Sequence, residues 1–202
     1  MKSLITCLTR YPKAWPLYAM VLALAFGIGL YMALTAAMAS QYAWSYKVLA
    51  NIYLAGGVGA FLGLLAVGKT AAISVSRYFF QSFGALMVCA VIMVWIWPES
   101  WLVWGVFSFI KGLSHAYFYH GTRVLLVHKA KSADYGYLFS IKYFCLCLGS
   151  IVSPLLAAYV NTGSALGLYM SMYALIGMLG YAVNLSIKAK HVEYKVRYTL
   201  RK

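Results

Sequence analysis

Two groups of residues in this 202-residue chain have the types and spacing to do chemistry. The first is the stretch GLLAVGKTA, in which Gly63 is followed after four residues by Gly68, Lys69 and Thr70. This pattern matches G-x-x-x-x-G-K-[ST], the loop whose backbone N–H groups, lysine and hydroxyl hold a nucleotide and its magnesium ion. Such a loop works only between a buried strand and a helix, so its surroundings decide whether a nucleotide site can be inferred.

The second group lies in the segment WLVWGVFSFIKGLSHAYFYHGTRVLLV, residues 101–127. If this segment is a helix, Lys111 lies about 15 Å beyond Trp101, near the middle of a bilayer. Successive residues turn by about 100°, so one arc of roughly 140° collects most of the polar residues. They are Ser108, Lys111, Ser114, His115, Tyr119 and Thr122, with Arg123 at the edge of the arc and His120 on the other side. The spacing predicts a helix with one polar face and a lysine at its middle.

A lysine at this depth needs a counter-charge or water, because a charge at mid-membrane costs several kcal/mol otherwise. No Asp or Glu lies in the segment, since Glu99 precedes it and Asp134 follows it. The missing charge predicts an anion site filled by a carboxylate, a phosphate or a lipid headgroup. The candidate binding residues are Lys111, His115, Tyr119 and Arg123, with Lys142 from the next apolar run.

Other interpretations of this polar face stay open. A water-filled path would let His115 exchange protons. A neutral, desolvated Lys111 would instead be hydrogen-bonded to backbone carbonyls or to a tyrosine, with Arg123 and Lys142 extended towards the headgroups. The same face would also serve as a contact for a partner protein.

The composition shows which elements must position these residues. The chain is 64% hydrophobic and has 17 Lys and Arg against three acidic residues, a balance typical of integral membrane proteins. Six apolar runs are each long enough to cross a bilayer. They cover about residues 17–38, 48–67, 78–97, 101–127, 137–160 and 165–187. We therefore predict an all-α membrane domain over residues 1–187, followed by a basic tail over 188–202.

This setting argues against nucleotide binding at the GKT stretch. Gly63 and the residues after it end the second apolar run, where the backbone must stay helical to satisfy its polar groups in lipid. We interpret Lys69 as a helix-end residue that reaches the headgroups. The glycines belong to stripes of small residues that let two helices approach closely. The stripes are Ala55, Gly59 and Gly63 on one line, and Gly56 and Ala60 on the next.

The distribution of basic residues predicts the orientation. Lys and Arg lie in the N-terminal segment, in the second and fourth links and in the tail, whereas the odd-numbered links hold only Lys47. By the positive-inside rule, both termini are cytoplasmic. Much of the +14 net charge then serves topology and anionic lipids, and no nucleic-acid partner is expected. The predicted location is a membrane, in particular the inner membrane of a bacterium.

The fourth and fifth runs also carry a family resemblance. Residues 119–160, YHGTRVLLVHKAKSADYGYLFSIKYFCLCLGSIVSPLLAAYV, resemble the fourth and fifth helices of the major facilitator superfamily. Gly149, Ser153, Pro154 and Ala157 fit that family's G-x-x-x-[GS]-P-x-x-[GA] pattern. The region after Gly63 loosely resembles its G-x-x-x-D-R-x-G-R-R loop, with Val67 near the place of the acid. The resemblance implies one six-helix half of a transporter that normally has two halves.

Three functions follow as hypotheses. The first is a half-size facilitator-like transporter that works as a dimer on a small anionic solute. The second is a non-transporting membrane subunit or assembly factor of a larger membrane complex. It is favoured by the tail, where apolar and polar residues alternate from 192 to 201 as in a strand that pairs with another chain. A disordered basic tail stays open as the other interpretation. The third is the substrate-binding subunit of an ATPase-driven vitamin importer.

Enzymatic and metal chemistry are not expected. The sequence has no nucleophile–base–orienter set and no H-E-x-x-H motif, so we predict no catalytic residues and no cofactor. Cys145 and Cys147 are two residues apart, so they point about 200° apart on a helix and do not share a metal. The expected partners are the lipid bilayer and a second copy of the chain or another membrane protein.

Overall fold

The computed structural model describes residues 11, 14–70, 77–129 and 132–157. Five α-helices follow one another: α1 (Trp15–Gln41), α2 (Tyr46–Thr70), α3 (Arg77–Ile96), α4 (Trp101–Lys129) and α5 (Tyr135–Ala157). A 3₁₀ turn, Ser132–Asp134, precedes α5. No strand occurs in these ranges, so the described part of the chain is all-helical, as predicted. The sixth predicted span, the tail and its strand-like alternation lie outside the described residues.

Three helical segments are long and apolar enough to cross a membrane. They are Trp15–Gln41, Tyr46–Ala66 and Tyr135–Leu156. In α3 the apolar stretch Leu86–Ile96 is shorter, and α4, which carries the polar arc, is not among the three. These segments agree with the predicted membrane protein, whose first, second and fifth runs they overlap.

One close helix pair is α1 with α5. A Cβ atom added at Gly29 would collide with the Ser153 hydroxyl, and one at Gly149 would lie 2.8 Å from the Ala25 Cβ and from the Leu22 carbonyl oxygen. Each helix thus contributes a glycine where the other approaches. Small residues allow this approach, which in lipid replaces the hydrophobic driving force between helices.

The second close pair is α2 with α4, and here backbone meets backbone. A Cβ at Gly112 would overlap the Gly56 carbonyl oxygen, and one at Gly59 would overlap the Phe109 carbonyl oxygen. At Gly63 the Ala116 Cβ would be 2.8 Å away. The predicted stripes of small residues therefore do pack helices, and the sequence interpretation of these glycines is confirmed.

Burial is concentrated on α1. In its most apolar window 67% of the residues are buried, compared with 17% for α2 and 22% for α5, so α1 is the central helix. The outer faces of α2 and α5 expose large apolar side chains, among them Phe61, Leu64, Phe144 and Ile151. Trp97 and Trp101 are half-exposed around the α3–α4 link. An apolar surface with tryptophans near one end is compatible with a bilayer environment.

The GKT stretch is continuous helix. Helix α2 runs without interruption from Tyr46 to Thr70, so Gly63, Gly68 and the two residues after it have helical backbone. A phosphate loop needs its N–H groups turned towards the ligand, whereas those in the interior of a helix are bonded to carbonyls one turn earlier. The structure thus agrees with the interpretation as a helix end.

Candidate functional site

Lys111 of α4 lies against α1. Its Nζ is 3.4 Å from the centroid of the Tyr31 ring, a distance at which the ring face attracts a cation. The lysine is partly exposed, and it makes no hydrogen bond or ion pair with any described residue. The predicted mid-helix lysine therefore contacts an aromatic ring, and it has no carboxylate partner among the described residues, as the sequence led us to expect.

Tyr31 is held by contacts from α1, α2 and α4. It is 1% exposed, and its hydroxyl donates a hydrogen bond of 2.7 Å to the Ser108 Oγ. Its ring contacts Phe107 at 5.6 Å and Tyr53 at 6.2 Å between centroids. One turn later, the Thr35 hydroxyl donates to the Tyr31 carbonyl at 2.7 Å. The ring face beneath the ammonium is thus held between α1, α2 and α4.

His115 follows Lys111 by one turn of α4. Its ring stacks on the Tyr119 ring, with centroids 6.2 Å apart and an angle of 16° between the planes. Its Nδ1 atom is buried and has no hydrogen-bond partner in the described part of the chain. The charges of both Lys111 and Lys142 act on this imidazole. A buried ring nitrogen without a partner in the described part of the chain, one helical turn from a lysine, is a free valence for a ligand or water.

Lys142 reaches the same helix from α5. It is 1% exposed, its Nζ donates to the Tyr119 carbonyl oxygen at 3.2 Å, and it lies 3.8 Å from the Tyr119 ring centroid. The Tyr119 hydroxyl in turn donates to the Tyr143 hydroxyl at 3.3 Å. The alternative in which Lys142 extends to the headgroups is wrong, because its ammonium is enclosed between α4 and α5.

Arg123 is the outermost of the predicted residues. It is exposed, and its Cζ is 5.9 Å from the Phe139 ring centroid. Thr122 is buried, and its hydroxyl donates a hydrogen bond of 3.0 Å to the Tyr119 carbonyl of the same helix, so it does not point towards a ligand. The structure therefore brings Lys111, His115, Tyr119 and Lys142 together and leaves Arg123 at the rim.

These cationic groups have no acidic partner among the described residues. The acidic side chains there are Glu99 and Asp134, and both lie in links between helices. Asp134 accepts a 2.6 Å hydrogen bond from the Tyr11 hydroxyl. The cluster defined by Lys111, His115 and Lys142 therefore has a positive local field, and it suits a ligand that carries negative charge.

Sequence reasoning missed Tyr31. The signal was present, because Tyr31 and Thr35 are the only hydroxyl-bearing residues between positions 19 and 39, and they stand one turn apart. A hydroxyl pair on one face of an apolar run marks the face that meets polar residues of another helix. Which helix that would be depended on the packing of α1 on α4.

Metal binding has no support in the described part of the chain, where His, Cys, Asp and Glu form no cluster of three or more. One surface depression lies elsewhere, between α2 and α4 at the Trp101 end, and its lining is almost wholly apolar. It includes Ile52, Leu102 and Phe109. The charged cluster and the apolar depression are therefore separate features.

Comparisons with known proteins leave the site to be interpreted from its own geometry. No family model, no curated protein and no solved structure matches the chain.

Proposed function

We propose that this chain is a half-size, facilitator-like membrane transporter that works as a dimer on a small anionic solute. The observation that supports it most is the Lys111 ammonium, which rests on a neutral ring and has no carboxylate beside it among the described residues. An intramembrane charge of this kind is expensive to keep and marks a solute or ion pathway by default. An anion that binds there removes the cost and gives the lysine a function.

The anion has contacts available beyond Lys111. The Nδ1 of His115, which has no hydrogen-bond partner among the described residues, lies one turn away on the same face, and the Lys142 ammonium lies over the Tyr119 ring on which His115 stacks. A carboxylate or phosphate oxygen would accept from the ammonium, and the imidazole would supply a second hydrogen bond. Charge-assisted hydrogen bonds of this kind are about twice as strong as neutral ones.

The dimer follows from the half-size architecture. In the proposal, residues 1–187 form six spans with both termini on the cytoplasmic side, in a bacterial inner membrane. Six helices supply one wall of a facilitator-like cavity, and the second copy supplies the facing wall. Two copies with the same orientation would be related by a two-fold axis along the membrane normal.

The competing proposal is a non-transporting subunit or assembly factor of a larger membrane complex. It is supported by the alternation of apolar and polar residues from 192 to 201, a pattern suited to pairing with a sheet edge of another protein. In that case the basic cluster would hold a lipid headgroup or an acidic partner residue. The vitamin-importer subunit has no further observation in its favour.

Native mass spectrometry of the protein, extracted gently from its own membrane, separates the two proposals. The transporter predicts a dimer of 22.4 kDa chains. A stoichiometric assembly with larger, unrelated proteins would instead make the chain a subunit.

Transport itself is tested in proteoliposomes, by counterflow of labelled succinate, phosphate and lactate. The proposal predicts flux of at least one of these anions, lost in Lys111→Met and kept in Lys47→Met. Lys47 is the matched control because it is an exposed lysine in the first turn of α2. Equal flux in both variants would refute the role of Lys111.

A further inference from the structure

Resting on the proposed function, we infer that Tyr31 is the positioning residue of the anion site: its ring, in place of a carboxylate, holds the Lys111 ammonium where the solute binds. The residue lies on α1, outside the polar arc of α4. Its ring centroid is 3.4 Å from the Lys111 Nζ, the shorter of the two lysine–ring distances in the described residues.

The choice of a ring has a chemical consequence. A fixed carboxylate would neutralise the ammonium, and an incoming anion would first have to displace it. A tyrosine face attracts the cation by its quadrupole and carries no net charge. The ammonium has three N–H donors, and the ring occupies only one side of it. The positive charge and the outward donors therefore stay available to an anion.

The ring can do this only if it does not move. The Tyr31 hydroxyl is bonded to Ser108, which is 0% exposed and precedes Lys111 by three residues on the same face of α4. This bond ties the ring to the turn of α4 that carries the lysine. Phe107 and Tyr53 contact the ring from α4 and α2. Without the ring, the flexible lysine stem would lose a defined position, and ordering it would weaken anion binding.

The first test is binding of succinate, phosphate and lactate to the purified protein in nanodiscs, measured by calorimetry at constant ionic strength. Against the native protein, Tyr31→Phe keeps the ring, which Phe107 and Tyr53 still contact after the Ser108 bond is lost, and it should bind within about threefold. Tyr31→Leu removes the ring and should bind about tenfold more weakly, as expected for a desolvated cation–ring contact. Tyr18→Leu is the matched control, since it removes another buried tyrosine of α1 whose hydroxyl donates to the Leu138 carbonyl and which does not contact Tyr31.

The second test leaves the shape of the site unchanged, which matters because Tyr31→Leu opens space in a buried region. Fluorinated phenylalanines at position 31 withdraw electron density from the ring face with little change in volume. Anion affinity should fall stepwise from no fluorine to three, and Lys111→Met should abolish both the binding and the series.

The outcomes distinguish failure of the proposed anion site from failure of the role of Tyr31 within it. If none of the three anions binds the native protein, or if Lys111→Met binds normally, the proposed function fails and the inference fails with it. If the native protein binds through Lys111, yet affinity is flat or rises along the fluorine series, the role of Tyr31 alone is overturned. Equal losses in Tyr31→Leu and Tyr18→Leu would also overturn it, since they would indicate general packing.

Discussion

Replacing Lys111 by methionine should leave the protein as stable as before or make it more stable, whereas most substitutions in a helix interior destabilise. Methionine keeps the length of the stem and removes the charge. The structure gives Lys111 a ring as its contact and no acid among the described residues. The sign of the effect then depends on whether that ring offsets the penalty of the charge.

The magnitude follows from two opposing terms. In the proposed topology Lys111 lies near the centre of a membrane helix, where a lysine costs about 3 kcal/mol on insertion scales. A cation–ring contact returns about 1 to 2 kcal/mol when it is desolvated. The remainder, about 1 to 2 kcal/mol, is the expected gain in unfolding free energy for Lys111→Met. The partial exposure of Lys111 would move the gain towards the lower value, because water reduces the penalty.

The assay is equilibrium unfolding of the purified protein in mixed micelles titrated with sodium dodecyl sulfate and followed by tryptophan fluorescence. Lys47→Met, at an exposed position, serves as the control and should change the unfolding free energy by less than about 0.5 kcal/mol. A loss of more than about 1 kcal/mol in Lys111→Met would refute the reasoning. It would mean that the lysine holds helices together and is not an unpaired charge kept for a ligand.

Three further predictions use the described contacts. Gly112→Leu should destabilise the folded protein by at least about 2 kcal/mol, because the added Cβ would overlap the Gly56 carbonyl oxygen. Gly105→Leu should be tolerated, because no atom lies within 4 Å of its added Cβ, and thermal unfolding of both variants checks the difference. In intact membranes Lys142 should react with an amine reagent at least tenfold more slowly than Lys47, because it is 1% exposed, and equal labelling by peptide mass spectrometry would contradict its burial. Reporter fusions at either end should be active only if the reporter works in the cytoplasm, and a periplasm-active fusion would refute the orientation.

In helix α4 the sequence alone predicted which residues share a face. The polar arc was derived from spacing alone, and in the structure Lys111, His115 and Tyr119 do lie together as that spacing requires. Helix geometry is local, so one-dimensional spacing determines which residues share a face. The same logic identified the close contacts of Gly59 and Gly63, since a stripe of small residues lets two helices approach closely.

The partners of that face could not be derived in the same way. Tyr31 is 80 residues before Lys111 in the sequence, and nothing local indicates that α1 packs on α4 at that level. The position of Lys142 was misjudged in one alternative for the same reason. A lysine near a helix end reaches the headgroups when its surroundings are open. Here the Lys142 side chain is buried and its ammonium donates a hydrogen bond to the Tyr119 carbonyl. Contacts of this kind depend on three-dimensional packing and not on spacing.

The fold separates the contacts that stabilise it from those that form the candidate site. Pairs α1–α5 and α2–α4 are joined by glycine-mediated backbone approach, while α1 and α4 meet over a much shorter stretch. Across that seam the Tyr31 hydroxyl donates to Ser108, and such a bond is worth only about 0.6 to 1.7 kcal/mol in a membrane. Lys111 lies at the seam without contributing a hydrogen bond to it. Removing its charge therefore leaves both helix pairs and the Tyr31–Ser108 bond intact, which is why stability and anion binding should respond to Lys111→Met in opposite directions.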